Sequence, residues 1–319
     1  MHESSEFCRQ DWGNCGYFKI DLMRKLSFIE KLILRQRDYD KYKDYKYGER
    51  LKKTNFFTGL DYPEQASYNF KHSGNAGDII YSIPTALAIA QKAAVHYHLA
   101  LGMKGVYGKS PHPLGNLMLT EKMVTMLAPL LLANPQIASC TVHQPSAKID
   151  IDLDLIRSHP ISMGAGHIAR WYFHVFAINA DLGKPWLFVQ PDESVSDHIV
   201  IARSQRYRAP AIDYSFLKRY PKLLFVGVEQ EWQEMRQVLP AITYRPVTDF
   251  LEMARIIGGS KLFIGNQSFP FAIAEALKTK RLLEVYWRAP NVIPEGSNGF
   301  DFYFQPQFEK LVQRLVEES

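Results

Sequence analysis

One stretch, Asn69-Phe70-Lys71-His72-Ser73-Gly74-Asn75-Ala76-Gly77-Asp78-Ile79-Ile80-Tyr81-Ser82-Ile83-Pro84, constrains the fold more than any other. A β-prone run from Ser67 to His72 meets Gly74 and Gly77, then a carboxylate, then apolar residues with helical spacing. That order predicts strand, tight glycine turn and helix, the unit that opens a doubly wound α/β domain. The glycines let the backbone turn sharply and approach a ligand closely. Amides at the helix start would point at whatever lies above the strand. Asp78 stands at that mouth. The spacing G-x-x-G-D is not the dinucleotide fingerprint G-x-G-x-x-G, so the turn alone selects no ligand.

The alternation of strands and helices continues on both sides of a break near residue 193. In the first region a helix is expected over Ile79 to Lys92, kinked by Pro84, and a strand over Val95 to Leu101. A Gly/Pro/His-rich loop follows from Gly102 to Leu119, and a helix from Glu121 to Ala133 stops before Asn134-Pro135. Lys148 to Ile156 alternates as a strand, and Ile168 to Ile178 is an aromatic-rich helix. In the second region strands are expected at His198–Ala202, Lys222–Val226, Ala241–Tyr244, Lys261–Ile264 and Leu282–Tyr286. Helices fall at Glu229–Val238, from the capping pair Asp249 and Glu252 to Gly258-Gly259, at Pro270–Leu277 and at Phe308–Val316. At 319 residues the chain has room for two such domains. The expected architecture is α/β, with Rossmann-like doubly wound domains at 61–192 and 193–319 facing a cleft. A helical extension, 1–60, precedes them.

In that extension Leu22, Leu26, Ile29 and Ile33 fall on one face of an amphipathic helix accompanied by Arg24, Lys25, Lys31, Arg35 and Arg37. The pattern fits a basic helix making peripheral contact with an anionic membrane. It fits equally a helix packed on its own domain with a solvated charged face, the commoner arrangement. The net charge of +5 favours anionic small ligands or membrane surfaces and does not call for nucleic acid. Three cysteines, Cys8, Cys15 and Cys140, are too few for a disulfide framework, so a reducing, cytoplasmic setting is expected. Cys8, Cys15 and His2 form no C-x-x-C pair and read as a terminus rather than a metal site. The polar, acidic first residues give no expectation of a secretory signal. The apolar run Leu127 to Ala133 is too short for a membrane span.

Asp150, Asp152 and Asp154 alternate with Ile149, Ile151, Leu153 and Leu155. Two such carboxylates could hold a divalent ion against a diphosphate. Period-two spacing instead places all three on one face of a strand interior, whereas metal ligands gather at strand ends, so no metal is expected there.

Several separated segments together resemble the heptosyltransferase-like glycosyltransferases, family 9 of the glycosyltransferase classification. Gly77-Asp78-Ile79-Ile80-Tyr81-Ser82-Ile83-Pro84 is similar to that family's opening motif, and Lys148 to Leu155 to its fourth strand. Phe263-Ile264-Gly265-Asn266-Gln267-Ser268-Phe269-Pro270 with Ala274-Glu275-Ala276-Leu277 resembles its donor-site strand, turn and helix. The resemblance spans most of Tyr68 to Tyr286. It implies a GT-B fold and an inverting, metal-independent transfer from a nucleotide sugar, with no further cofactor, to a glycan or glycolipid acceptor. By that analogy Asp78 is the catalytic base. Arg203 or Arg206 would neutralise the donor phosphates, Glu229 or Glu231 would sit near the nucleoside, and Asn266, Gln267 and Ser268 would hold the diphosphate. The family pattern has a carboxylate and a nearby histidine at that last mouth, where this chain has Gln267, Ser268, Phe269 and Ala272.

Glycosyl transfer needs a base for the acceptor hydroxyl and compensation for a departing diphosphate. Arginine forks and helix N-terminal amides can supply the second without metal. Asp78 also fits a helix cap. His72, Gly74, Asn75 and His167 are candidates for the acceptor side, with Arg170 beside them, and Glu275 reads as an inward polar residue satisfied by a neighbour. A nucleotide-sugar epimerase or hydrolase, and a non-catalytic nucleotide-sugar binding protein, are the alternatives on the same fold.

Overall fold

The computed structural model describes residues 24–105 and 115–317. His2, Cys8, Cys15 and Leu22, and residues 106–114 of the predicted long loop, lie outside the described residues. The chain divides into two compact units, Met1–Asn55 and Phe56–Ser319.

The first unit holds helices α1 (Phe28–Arg37) and α2 (Tyr39–Leu51). Ser27 and Glu30 form a reciprocal capping box at the start of α1. Asp38 closes α1 and caps α2, its carboxylate accepting from the Lys41 N–H at 3.0 Å. Leu26, Leu34 and Tyr45 make the small core of this pair. The predicted apolar stripe is therefore divided. The helix begins only at Phe28, so Leu26 turns inward on a non-helical backbone while Ile29 and Ile33 stay outside.

The second unit opens with β1 (Ser67–His72), α3 (Ala76–Ala90), β2 (Ala94–Leu99), α4 (Glu121–Leu132), β3 (Ile137–Val142), β4 (Ile151–Asp152), α5 (Leu155–Ser158) and α6 (Ile168–Phe176). It continues with β5 (Ile199–Ala202), β6 (Leu223–Phe225), α7 (Glu229–Val238), β7 (Thr243–Tyr244), α8 (Phe250–Gly259) and β8 (Leu262–Asn266). Last come α9 (Phe269–Leu277), β9 (Arg281–Glu284), β10 (Gly299–Phe302) and α10 (Gln305–Glu317). Every pairing between these strands is parallel. One sheet runs β3-β2-β1-β4 and the other β10-β9-β8-β5-β6-β7. The second order is that of a doubly wound nucleotide-binding domain, winding outward both ways from β5. Strands β5, β6, β8 and β9 are buried along their whole length, as strands covered by helices on both faces must be.

The strand order reverses between β1 and β4 in one sheet and between β5 and β8 in the other. Open α/β sheets bind ligands at the carboxyl ends of such strands. One continuous apolar core joins the sheets, taking in Phe70 and Ile80 of the first and Phe263 and Phe271 of the second. Where the sequence predicts an open cleft, α3 and α9 touch. A Cβ at Gly77 would lie 3.8 Å from the Phe269 Cα and 3.9 Å from the Ala272 Cβ.

The predicted strand over Lys148 to Ile156 is shorter than expected. Only Ile151–Asp152 forms ladder, and Leu155–Ser158 is a turn of helix. The period-two pattern is real, but it serves pairing with β1. Asp150 accepts from the Asn69 amide (2.8 Å), Asp152 from Lys71 Nζ (2.5 Å), and Asp154 from the Ser73 amide (3.1 Å). Three different partners draw the carboxylates apart. The strand Ile137–Val142, with its Ser-Cys-Thr centre, carries too little apolar alternation for the sequence to announce it.

The end of α9 is fixed by charges sealed from water. Arg281 Nε donates to Glu275 Oε2 at 2.6 Å with both side chains fully buried. Lys278 and the Glu295 amide complete the Glu275 carboxylate, so this inward residue is satisfied as expected. Removing one partner of such a pair leaves a buried charge, at a cost of about 3–5 kcal/mol. Arg281→Met and Glu275→Leu should each lower the melting temperature by roughly 10 °C. The double variant should lose clearly less than the two singles added, because it removes Arg281 and Glu275 together and leaves only Lys278 without its carboxylate. Thermal denaturation followed by circular dichroism checks this, and additive losses would contradict it.

Candidate functional site

The site grows from the β1–α3 turn. Gly74 has φ +103°, and a Cβ there would meet Leu119 Cγ at 2.7 Å, so the turn needs glycine. Asn75 precedes α3, and Asp78 in its first turn accepts from the Asn75 amide at 3.3 Å. The Asp78 carboxylate is one-fifth exposed. Arg157 in α5, a residue that sequence reasoning passed over, organises this corner. Its guanidinium donates to Asp78 Oδ2 at 3.3 Å, to the Gly74 carbonyl and to Asp154, and contacts Ser73 Oγ at 3.3 Å. The carboxylates raise its pKa in spite of the burial that acts against it. The only trace of Arg157 in the sequence is its place three residues beyond the last aspartate of the alternating run.

His72 and His167, expected on the acceptor side, are both buried. His72 is fully buried, with Nδ1 accepting from the Gly74 amide at 2.9 Å and Nε2 facing the Tyr172 hydroxyl at 2.8 Å. With Nδ1 as acceptor, Nε2 carries the proton and donates to Tyr172, whose hydroxyl reaches the Asp78 carbonyl at 3.4 Å. Burial holds the His72 pKa well below the ordinary value. His167 is also buried and caps α6 by accepting from the Ala169 amide at 3.1 Å. Burial, with the Arg170 and Lys278 cations, lowers its pKa to about 4. Arg170 itself is half exposed and lies 4.0 Å from Glu295.

Across the α3–α9 contact stands the β8–α9 turn. Asn266 is fully buried and its amide bridges Ser204, accepting from the N–H (3.0 Å) and donating to the carbonyl (2.7 Å). That bridge ties the end of β8 to the end of β5 at the switch point. Gln267 accepts from the Tyr286 amide at 2.6 Å and donates to the Ala289 carbonyl and to Asn291. Asn291 in turn bonds the Met163 carbonyl (2.8 Å), and its own carbonyl receives the Ile168 amide, so this chain of bonds runs across to α6. Ser268, half-buried, precedes α9 and its hydroxyl reaches the Asn266 carbonyl at 3.3 Å. Pro270 has no N–H, and the amides of Phe271 and Ala272 bond the Ser268 carbonyl. The Phe269 N–H has no protein partner among the described residues.

Arg203, expected at the donor phosphates, is paired within the protein. It forms a two-pronged pair with the fully buried Glu284, 2.7 Å on each prong, and stacks on Tyr214. Glu284 also accepts from the Ala209 amide and the Tyr214 hydroxyl. Arg203, Asn266 and Gln267, expected as donor ligands, are instead bonded within the protein and hold the walls of the site. Arg206 lies in the turn after β5 against the Tyr207 ring, with Tyr286 beyond. Glu229 is exposed at the start of α7, just past Gly227. Glu231 is buried and accepts from the Gln205 amide, and burial raises its pKa.

No protein-family model matches the chain, and no curated protein matches it in sequence. Solved structures match it in shape. A family 9 glycosyl transferase from Veillonella parvula DSM 2008 aligns with TM-score 0.53 and 12% identity over 83% of this chain and 100% of its own. The E. coli heptosyltransferase WaaC with ADP-2-deoxy-2-fluoro heptose gives 0.53 at 10% identity over 79% and 99%, and the same enzyme with ADP gives 0.54 at 9% over 78% and 99%. The chain shares its fold with these enzymes. At these identities the likeness is one of fold.

The His167 environment predicts an acid response. A buried histidine whose folded pKa is about 4 against 6.5 unfolded gives stability that is complete above pH 6.5 and lost as pH falls toward 4. The full effect is on the order of 3 kcal/mol. His72 acts in the same direction, so His167→Gln should reduce the slope of stability between pH 6.5 and 4 without abolishing it. Urea melts across that range check this, and an unchanged slope would remove His167 from the account.

Proposed function

We propose that this protein is a glycosyltransferase that takes a sugar from a nucleotide-sugar donor and delivers it to a glycan or glycolipid hydroxyl. One observation carries the reading. The helices that leave the switch points of the two parallel sheets, α3 and α9, pack together, and Asp78 in the first turn of α3 keeps a partly exposed side chain. The fold likeness to an enzyme solved with ADP and with an ADP-sugar analogue supports it.

In the proposed reaction the acceptor hydroxyl attacks the anomeric carbon from the face opposite the diphosphate. Its proton passes to Asp78, the bond from sugar to diphosphate breaks, and the electron pair leaves on the phosphate oxygen. The configuration inverts. Arg206, the Phe269 amide and the Ser268 hydroxyl would meet the departing charge, a role that needs no metal ion in this scheme. Glu229 would stand at the nucleoside side, as a carboxylate beside the carboxyl end of β6. Gly74 and Asn75 would shape the acceptor side, and Arg157 would keep the Asp78 carboxylate aimed. A cytoplasmic setting follows from the need for an activated sugar.

A second reading has an observation of its own. The internal bonding of Arg203, Asn266 and Gln267 leaves fewer groups for the diphosphate, which favours a nucleotide-sugar binding protein without turnover. A labelled-donor assay with a panel of nucleotide sugars, with and without acceptor, separates the cases. Transfer is expected only with acceptor; release of free sugar without it would indicate a hydrolase, and binding without product a non-catalytic protein.

General-base catalysis contributes about 10²–10⁴-fold. Asp78→Asn should therefore lower kcat by roughly that factor while the donor Kd and melting temperature change little. Unchanged turnover would remove the base role.

A further inference from the structure

The sugar-transfer reading leaves the first unit without a task, and its surface has a definite chemistry. On α1, Phe28 is 74% exposed, Ile29 67%, Leu32 43% and Ile33 40%, whereas Leu34 is buried against Tyr45. At 100° per residue these four side chains cover an arc of about 140° centred opposite Leu34. The outward face of the helix is thus its apolar face, contrary to the expected solvated charged face. Lys31 and Arg35 border the arc on one side and Arg37 on the other. Residues 24–55 contain eleven Lys and Arg against five Asp and Glu, a net of +6, while the whole chain carries only +5. Of the eleven, Arg24, Lys25, Lys31, Arg35 and Arg37 lie on α1 or just before it.

We infer that α1 lies in the headgroup region of an anionic lipid bilayer, Phe28, Ile29, Leu32 and Ile33 inserted and Arg35 and Arg37 set among lipid phosphates. An apolar arc bordered by basic residues is the chemistry of an interfacial helix. Such a helix lies in the plane of the interface and needs no spanning length. Among the described residues no helix is long and apolar enough to cross a membrane. Charge complementarity favours an anionic bilayer over a neutral one, since each basic residue near an anionic surface adds attraction that falls off within a Debye length. The inference is independent of sugar transfer and can fail without it.

The test is co-sedimentation of the full chain with phosphatidylcholine vesicles and with vesicles containing roughly 30% phosphatidylglycerol. Partitioning to the anionic vesicles should be at least about tenfold stronger and should weaken in high salt. Two variants keep the capping box and the Leu26–Leu34–Tyr45 core: one with Phe28, Ile29, Leu32 and Ile33 all changed to Ser, the other Arg35→Glu with Arg37→Glu. Each should reduce anionic partitioning about tenfold or more, with helix content checked by circular dichroism. In a Phe28→Trp variant the emission should shift to the blue on anionic vesicles only. Equal partitioning to both vesicle types, or no effect of the four serines, would overturn the inference. So would absence of vesicle binding combined with a dimer in solution that the four serines dissolve, which would make the stripe a contact between copies.

Discussion

The packing of α3 against α9 is the contact on which the rest of the candidate site depends. Helices that cover parallel sheets normally touch through their side chains. Here α3 presents Gly77 to α9, and a Cβ at that position would stand in ordinary van der Waals contact with Phe269 and Ala272. The consequence is geometric. The mouth of α3, with Asp78, and the mouth of α9, with Ser268 and Phe269, come to the same place, each at the carboxyl edge of its own sheet. Apolar burial pins this meeting, because the core beneath is continuous from Phe70 and Ile80 to Phe263 and Phe271.

Around that contact, polar groups do two kinds of work. Asn266, Gln267, Arg203 and Glu284 saturate one another or nearby backbone, and so make the walls rigid. Arg157 does something different. It reaches from α5 to the Gly74 carbonyl, Asp154 and Asp78 at once, and Asp78 still keeps an exposed edge. A positioned carboxylate on a rigid base is what proton transfer in a transition state requires.

The strand, turn and helix around Gly74 and Gly77 were legible because local signals agreed: β-prone residues, glycines and helical apolar spacing point to one structure. The β8–α9 unit was legible for the same reason. The roles of its side chains were not. Gln267 and Asn266 have polar amides whose partners lie 19 and 62 residues away in the chain, and nothing local announces them. Arg157 was missed because its importance is the meeting of three carboxyl and carbonyl groups that are brought together only by the β1–β4 pairing. The aspartate run misled in a related way. Its period-two spacing was correct for an extended segment, yet Asp150 and Asp152 answer two different residues of β1 and Asp154 answers Ser73 just past it, and Asp154 with Arg157 ends the strand early. In the first unit the pattern of Leu26, Ile29 and Ile33 suggested one stripe, and the capping box at Ser27 broke it by starting the helix after Leu26.

The central claim is that a nucleotide sugar binds where the two helix mouths meet. The most direct test is a crystal structure of the Asp78→Asn variant with an intact nucleotide sugar, in which the unreactive site can hold its donor. The account predicts the anomeric carbon beside residue 78, with the diphosphate against Arg206, Ser268 and the Phe269 amide. Well-defined donor density elsewhere on the protein, with the α3–α9 corner empty, would contradict it.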